Sequence, residues 1–224
     1  MSSSFVTVKI STKDYPHMEL IEDYKRELEK LVTSKVSSCC LLPVFIFDEI
    51  ERMPPGLLDS IKMFMDNHHS VEGINYRRSI FIFRSNLAAS AITSYVLDQY
   101  NKGRAREDIT LKEMEEVIRK DVVSKANTGL YNAKIINSHL ISHFVPFLPL
   151  EKNHVSKCIS AEFLKIGRLP LRVEEDEVLA QLEFFGPPGP KVFAVKGCKN
   201  VAEKVNVILY KQLRENYKRK NSEL

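Results

Sequence analysis

Glycine and cysteine are scarce in this chain of 224 residues: eight glycines and four cysteines. The glycines stand at 56, 73, 103, 129, 167, 186, 189 and 197, and none opens a G-x-x-x-x-G-K pattern. These residues therefore do not include a loop of that type, which wraps backbone N–H groups and a lysine around phosphates. Cys39, Cys40, Cys158 and Cys198 form no C-x-x-C pair, so neither a zinc site nor a small disulfide scaffold is indicated. No apolar run approaches the roughly 20 residues of a membrane span. Met1-Ser2-Ser3-Ser4 lacks the basic and apolar regions of a signal peptide, so the literal expectation is a cytosolic chain. Internal repeats and low-complexity segments are absent too.

Apolar content of 44% and charged content of 28% are ordinary for a globular protein. The net charge of +4 is modest, and five cations at 211, 214, 218, 219 and 220 against Glu215 account for it. Cations suit a helix C-terminus. Without an aromatic stacking platform they do not point to nucleic acid.

The most informative stretch is Val44-Phe45-Ile46-Phe47-Asp48-Glu49. Four large apolar residues read as a strand buried on both faces, as in a parallel sheet covered by helices. Ligand sites of open α/β sheets lie at the carboxyl ends of strands. Two carboxylates at that end suit a metal-holding acid, Asp48, and a water-directing acid, Glu49. A core strand ending in solvated acids explains the short pattern equally well.

In chain order, Phe5–Ile10 alternates as a strand, and Leu20 to Val32 has helical spacing. Pro54-Pro55 opens a helix with Leu57, Leu58, Ile61, Phe64 and Met65 on its buried face. His68-His69 and Ser70–Asn75 form a polar connection. Ser79–Phe83 reads as a second buried strand, followed by Arg84-Ser85-Asn86. Asn86 and Glu49 thus both lie just past apolar strands. In neighbouring parallel strands they face one crevice, and the intervening helix is a right-handed crossover. Helices are expected at Ala88–Tyr100, from the capping box Thr110–Glu113 to Val123, and at Ile135–Ile141, with a loop at Asn127–Tyr131. Phe144–Leu150, broken by two prolines, is expected to be a short strand leading into a linker. Helices at His154–Ile166, Glu174–Phe185 and Cys198–Tyr217 complete the chain, the last with Val201, Val205, Val207, Ile208 and Leu213 as apolar positions. Gly186–Pro190 is a turn-rich connector.

Taken together, Phe45-Ile46-Phe47-Asp48-Glu49, Met53-Pro54-Pro55-Gly56-Leu57, Phe81-Ile82-Phe83-Arg84-Ser85-Asn86, Arg106-Glu107-Asp108-Ile109, Val145-Pro146-Phe147-Leu148-Pro149-Leu150 and Lys196-Gly197-Cys198-Lys199 resemble the torsins, a branch of the AAA+ ATPases. The resemblance extends from about Phe5 to Leu209. It implies an α/β fold: an incomplete P-loop NTPase (AAA+) layer with a parallel sheet over 1–150, then a helical C-terminal lid over 151–217 and a frayed tail at 218–224. The implied cofactors are ATP and magnesium. Asp48 and Glu49 would be the Walker B pair, with Asp48 holding magnesium. Asn86 would be sensor 1, and Lys199 the sensor 2 cation that meets the γ-phosphate.

The resemblance further implies a redox-responsive disulfide between Cys158 and Cys198, whose loop of roughly 40 residues would contribute roughly 4 kcal/mol in an oxidising compartment. Torsins reside in the endoplasmic reticulum lumen and nuclear envelope and serve protein and membrane remodelling. The implied partners are membrane-anchored activators of the lamina-associated polypeptide 1 type, which supply an arginine finger, and other torsins in oligomers. No nucleic acid and no transmembrane segment are implied. The family pattern also places a signal sequence, a first strand and a P-loop before Phe5, so this chain reads as N-terminally truncated. The alternative is a non-hydrolytic pseudoenzyme or fragment that only binds torsin partners.

Overall fold

The computed structural model describes residues 5–38, 42–66, 70–124, 134–138, 140–187 and 191–222. Cys39, Cys40, His68, His69 and the expected loop at 127–131 lie outside them. Chain contacts divide the molecule into two units, Met1–Ile92 with Ile109–Pro146, and Thr93–Asp108 with Phe147–Leu224.

The first unit is α/β. Strand β1 (Val6–Ile10) is followed by the short helix α1 (Ser11–Asp14) and the long helix α2 (Ile21–Ser38). Strand β2 (Val44–Asp48), a 3₁₀ segment at Leu58–Ile61, helix α3 (Lys62–Met65) and strand β3 (Ile80–Phe83) come next. The strands are parallel in the order β1-β2-β3, with Val6, Val44 and Ile80 in one row and Val8, Ile46 and Ile82 in another. Side chains alternate across a strand, so Phe45 and Phe47 share the opposite face, where they stack on Phe81 and Phe83 at centroid distances of 5.2 and 5.4 Å. Phe45 and Phe47 are buried, as are Leu28 and Val32 of α2 and Leu57, Leu58 and Ile61. The crossover from β2 to β3 thus supplies one apolar layer.

Burial on both faces, expected of β2 and β3, is not what the sheet shows. Val6, Val8, Ile80 and Ile82 are 38–49% exposed. Among the described residues the sheet has three strands, so β3 is an edge, and its Val6–Ile82 face is only partly covered. Helix α5 (Leu111–Ser124) begins at the expected capping box: the Thr110 N–H donates to Glu113 Oε2 at 2.8 Å, and the Glu113 N–H donates to Thr110 Oγ1 at 3.4 Å. Helix α4 (Ala89–Asn101) precedes it, and α6 (Lys134–Asn137) is shorter than the expected Ile135–Ile141.

The second unit is mainly helical. Helices α7 (Lys152–Leu164), α8 (Arg172–Ala180) and α9 (Val201–Ser222) enclose a core of Val155, Ile159, Phe163, Val178, Val205 and Ile208. Gly167, at φ +83°, follows α7 in the left-handed conformation glycine adopts freely. Helix α8 stops at Ala180, short of the expected Phe185; Phe184–Phe185 form strand β4, antiparallel to β5 (Phe193–Ala194). The backbone of this segment bonds to the β5 side: the Val195 N–H donates to the Glu183 carbonyl at 2.9 Å and the Val192 N–H to the Phe185 carbonyl at 3.0 Å. Phe144–Leu150 forms no strand. The carbonyls of Leu148 and Pro149 accept hydrogen bonds from the Arg106 guanidinium instead, and Leu150 accepts from the Ala194 N–H at 2.8 Å. Val207 and Leu213, expected on the apolar side of α9, are exposed, and the helix runs to Ser222, into the segment expected to fray. Among the described residues no helix is long and apolar enough to cross a membrane.

Candidate functional site at the strand ends

The parallel register places the carboxyl ends of β2 and β3 side by side, with Phe47 opposite Phe83. The pairing continues beyond the strands: the Arg84 N–H donates to the Phe47 carbonyl at 2.8 Å, and the Ile50 N–H to the Arg84 carbonyl at 3.2 Å. Asp48, Glu49, Glu51, Ser85 and Asn86 are therefore brought to one end of the sheet.

Each carboxylate there has a different set of donors. Asp48 Oδ1 accepts the Glu49 N–H at 3.0 Å, and its Oδ2 pairs with Arg84 at 3.3 Å. Glu49 has a left-handed backbone, φ 54° and ψ 42°, which a residue with a Cβ adopts rarely and at a cost. That turn carries its carboxylate to α1, where Oε2 accepts from Thr12 Oγ1 at 2.7 Å. The following 3₁₀ turn, Ile50–Arg52, sets Glu51 against the end of β3. Glu51 Oε2 accepts from Ser85 Oγ at 2.7 Å, and Oε1 from Asn86 Nδ2 at 3.2 Å. Burial pushes the Glu51 carboxyl up, but hydrogen bonds from Ser85, its own backbone and Asn86 outweigh it and hold the group below the ordinary glutamate value.

The structure adds a pairing that the sequence reading did not specify. Asp48, Glu49 and Asn86 do share one end of the sheet, yet Asn86 is held by Glu51 and not by Glu49. Sequence reasoning passed over Glu51, Ser85 and Thr12. A legible signal for Glu51 was its place three residues after Asp48, where a single turn returns a side chain to the strand end.

Among the described residues no group of three or more His, Cys, Asp or Glu side chains forms a metal cage. Magnesium does not need one, since it is commonly held by one or two carboxylates together with phosphates and water. Asp48, a single half-buried carboxylate at a strand end, fits that donor chemistry.

Lys199 lies in the second unit, exposed in the turn Lys196–Asn200 that leads into α9. Gly197 shapes this turn at φ +54°, and the Lys199 N–H donates to the Lys196 carbonyl at 3.2 Å. Cys198 forms a disulfide with Cys158 of α7, joining the turn covalently to that helix. A cavity of about 150 Å³ beside the turn is lined by Gln181, Glu183, Lys196, Asn200 and Lys204 among others; Lys199 does not line it.

Over 214 residues, 94% of its length, the chain is 36% identical to a Torsin-like protein of Caenorhabditis elegans. Over 211 residues, 93% of its length, it is 33% identical to a Torsin-like protein of Drosophila melanogaster. These identities over nearly the whole chain support membership of the torsin family. The chain covers 59% and 62% of the length of those two curated relatives. No family model matches it. The parallel three-stranded sheet and the helical C-terminal region are consistent with part of an AAA+ fold.

Proposed function

We propose that this chain carries the metal- and water-positioning part of a torsin-type AAA+ ATPase, which binds and hydrolyses ATP to drive protein or membrane remodelling. The observation that carries the reading is the convergence of Asp48, Glu49 and Asn86 at the carboxyl ends of two adjacent parallel strands. Magnesium bound with ATP would neutralise charge on the phosphates. Asp48 would hold the metal, exchanging its contact with the exposed Arg84 for it. Glu49 would accept the proton of the attacking water, and Asn86 would help place that water. Lys199 would supply a cation for the terminal phosphate. No G-x-x-x-x-G-K loop lies within these residues, so the reading assigns none of them to the phosphate cradle.

In this reading the working environment is the endoplasmic reticulum lumen and nuclear envelope, which the Cys158–Cys198 disulfide supports, since such bonds persist in oxidising compartments. The disulfide would tie the placement of Lys199 to redox state. Membrane-anchored activators of the lamina-associated polypeptide 1 type would supply an arginine finger, worth about 10³–10⁵ in rate, and other torsins would be oligomeric partners. Isothermal titration with ATP tests the reading. Saturable, magnesium-dependent binding that Glu49→Gln retains while losing turnover is the expected result; absence of binding overturns it.

A second reading is favoured by the internal engagement of both acids, Asp48 by Arg84 and Glu49 by Thr12. Here the chain is a non-hydrolytic module that binds torsin partners. Capture of the luminal domain of an activator without nucleotide supports this reading, and magnesium-dependent ATP binding contradicts it.

A further inference from the structure

We propose that Glu51 is a positioning residue that orients Asn86, so that Asn86 presents its side-chain carbonyl oxygen to the reacting water. The inference rests on the hydrolytic reading above and assigns a role to a residue outside the Asp48–Glu49 pair.

A carboxylate can only accept hydrogen bonds, so the Asn86 atom facing it is the amide nitrogen. Nδ2 donates to Glu51 Oε1 at 3.2 Å, which turns Oδ1 away from Glu51. The backbone N–H of Asn86 lies 3.4 Å from both Glu51 oxygens, and the Ser85 hydroxyl donates at 2.7 Å. Two consecutive residues thus place three donors on one carboxylate, holding the backbone and the side chain of Asn86 together. Ser85 Oγ also accepts the Leu87 N–H at 3.0 Å, which extends the constraint one residue further.

Glu51 is itself anchored. Its 3₁₀ turn follows the left-handed Glu49, and the Ile50 N–H bond to the Arg84 carbonyl ties that turn to the end of β3. Asn86 is exposed, and without these bonds its amide would sample several rotamers and both flips. With its nitrogen committed to Glu51, its carbonyl can accept a hydrogen from water, leaving the oxygen lone pair of that water free to attack. Glu49, bonded to Thr12 and not to Asn86, remains available as the proton acceptor. The strand ends then divide the work: Glu49 takes the proton, Asn86 orients the water and Glu51 orients Asn86.

The test combines side-chain amide NMR with steady-state ATP turnover on the full chain together with the luminal domain of an activator, using Glu51→Gln, Glu51→Ala and Glu51→Asp, with Asn86→Asp to assign the Asn86 signals. The expected result in Glu51→Ala is a shift of the Asn86 NH₂ pair and solvent exchange faster by about tenfold or more, as for loss of a bond to a charged group. Glu51→Asp is expected to restore part of both. Turnover in Glu51→Gln is expected to fall roughly 10–100-fold in kcat, the scale of a misplaced catalytic group, with KM for ATP unchanged. Unchanged Asn86 signals in Glu51→Ala overturn the proposal, as does a parallel change of kcat, KM and melting temperature, which marks a merely structural residue. Absence of turnover in the unsubstituted protein defeats the hydrolytic reading and with it the role toward water. The amide signals still decide separately whether Glu51 holds Asn86.

Discussion

Glu51 in the first unit and Glu174 in the second are both carboxylates that collect several hydrogen bonds, and they differ in burial. Glu174 is 1% exposed. Arg168 grips both its oxygens at 2.7 and 2.6 Å, the Leu171 N–H donates at 2.7 Å and Gln212 Nε2 at 2.8 Å. The Arg168 guanidinium holds this carboxyl at about 2 against the effect of burial, with Leu171 and Gln212 adding to it. The group braces α8, α9 and the Arg168 turn, and its donors leave it little room for another partner. Glu51 is less deeply buried, and its donors lead to Asn86, which faces solvent. The same chemistry is a structural lock where water is excluded and a positioning device where one end of the network stays open.

Removing the buried group should break this contrast most strongly. Glu174→Ala leaves the donors of Arg168, Leu171 and Gln212 without their acceptor and is expected to cost roughly 3–5 kcal/mol for the three together, the scale of lost hydrogen bonds to a charged group; calorimetric or chemical unfolding measures it. The sign with pH follows from the lowered value: the contribution of Glu174 is fully present above the unfolded glutamate value of 4.5 and is lost as pH falls toward about 2. Melting temperatures of the second unit should therefore drop across that window, and Arg168→Gln should flatten the drop. Reduction of Cys158–Cys198, which spans 40 residues, comes next, at about 2–4 kcal/mol from restored freedom of the unfolded chain. It should loosen the Gly197–Lys199 turn while leaving Asn86 unmoved, as hydrogen exchange would reveal. The smallest effect has the opposite sign. Glu49→Gly relieves the left-handed backbone and is expected to stabilise by about 1 kcal/mol while removing the acid assigned to water activation. A net loss of stability in that variant would mean that the Thr12 contact outweighs the strain.

Much of the architecture was legible locally. Alternation marked β1, the apolar run marked β2, and the Thr110–Glu113 box marked the start of α5, because each depends on neighbours within a few residues. Strand β4 was read as the end of a helix, and β5 was assigned to no element. The two-residue strand Phe184–Phe185 carries too little periodicity to announce itself, and its partner Phe193–Ala194 lies beyond the proline-rich connector. Half-exposure of Ile80 and Ile82 was hidden for another reason: an apolar strand looks the same in sequence whether or not something covers its second face.

The strand ends show the division most clearly. Val44–Glu49 and Arg84–Asn86, with the other ordered matches, were enough by sequence to mark an α/β sheet end and the torsin family, since strand-forming residues and the acids after them are contiguous. Which acid meets which partner was settled only by the fold. Thr12 reaches Glu49 across 37 residues, and Ser85 and Asn86 reach Glu51 across 34 and 35. Those pairings follow from the parallel register of β2 on its two neighbours and from the left-handed turn at Glu49, which sends one carboxylate toward α1 and leaves the next acid to hold Asn86.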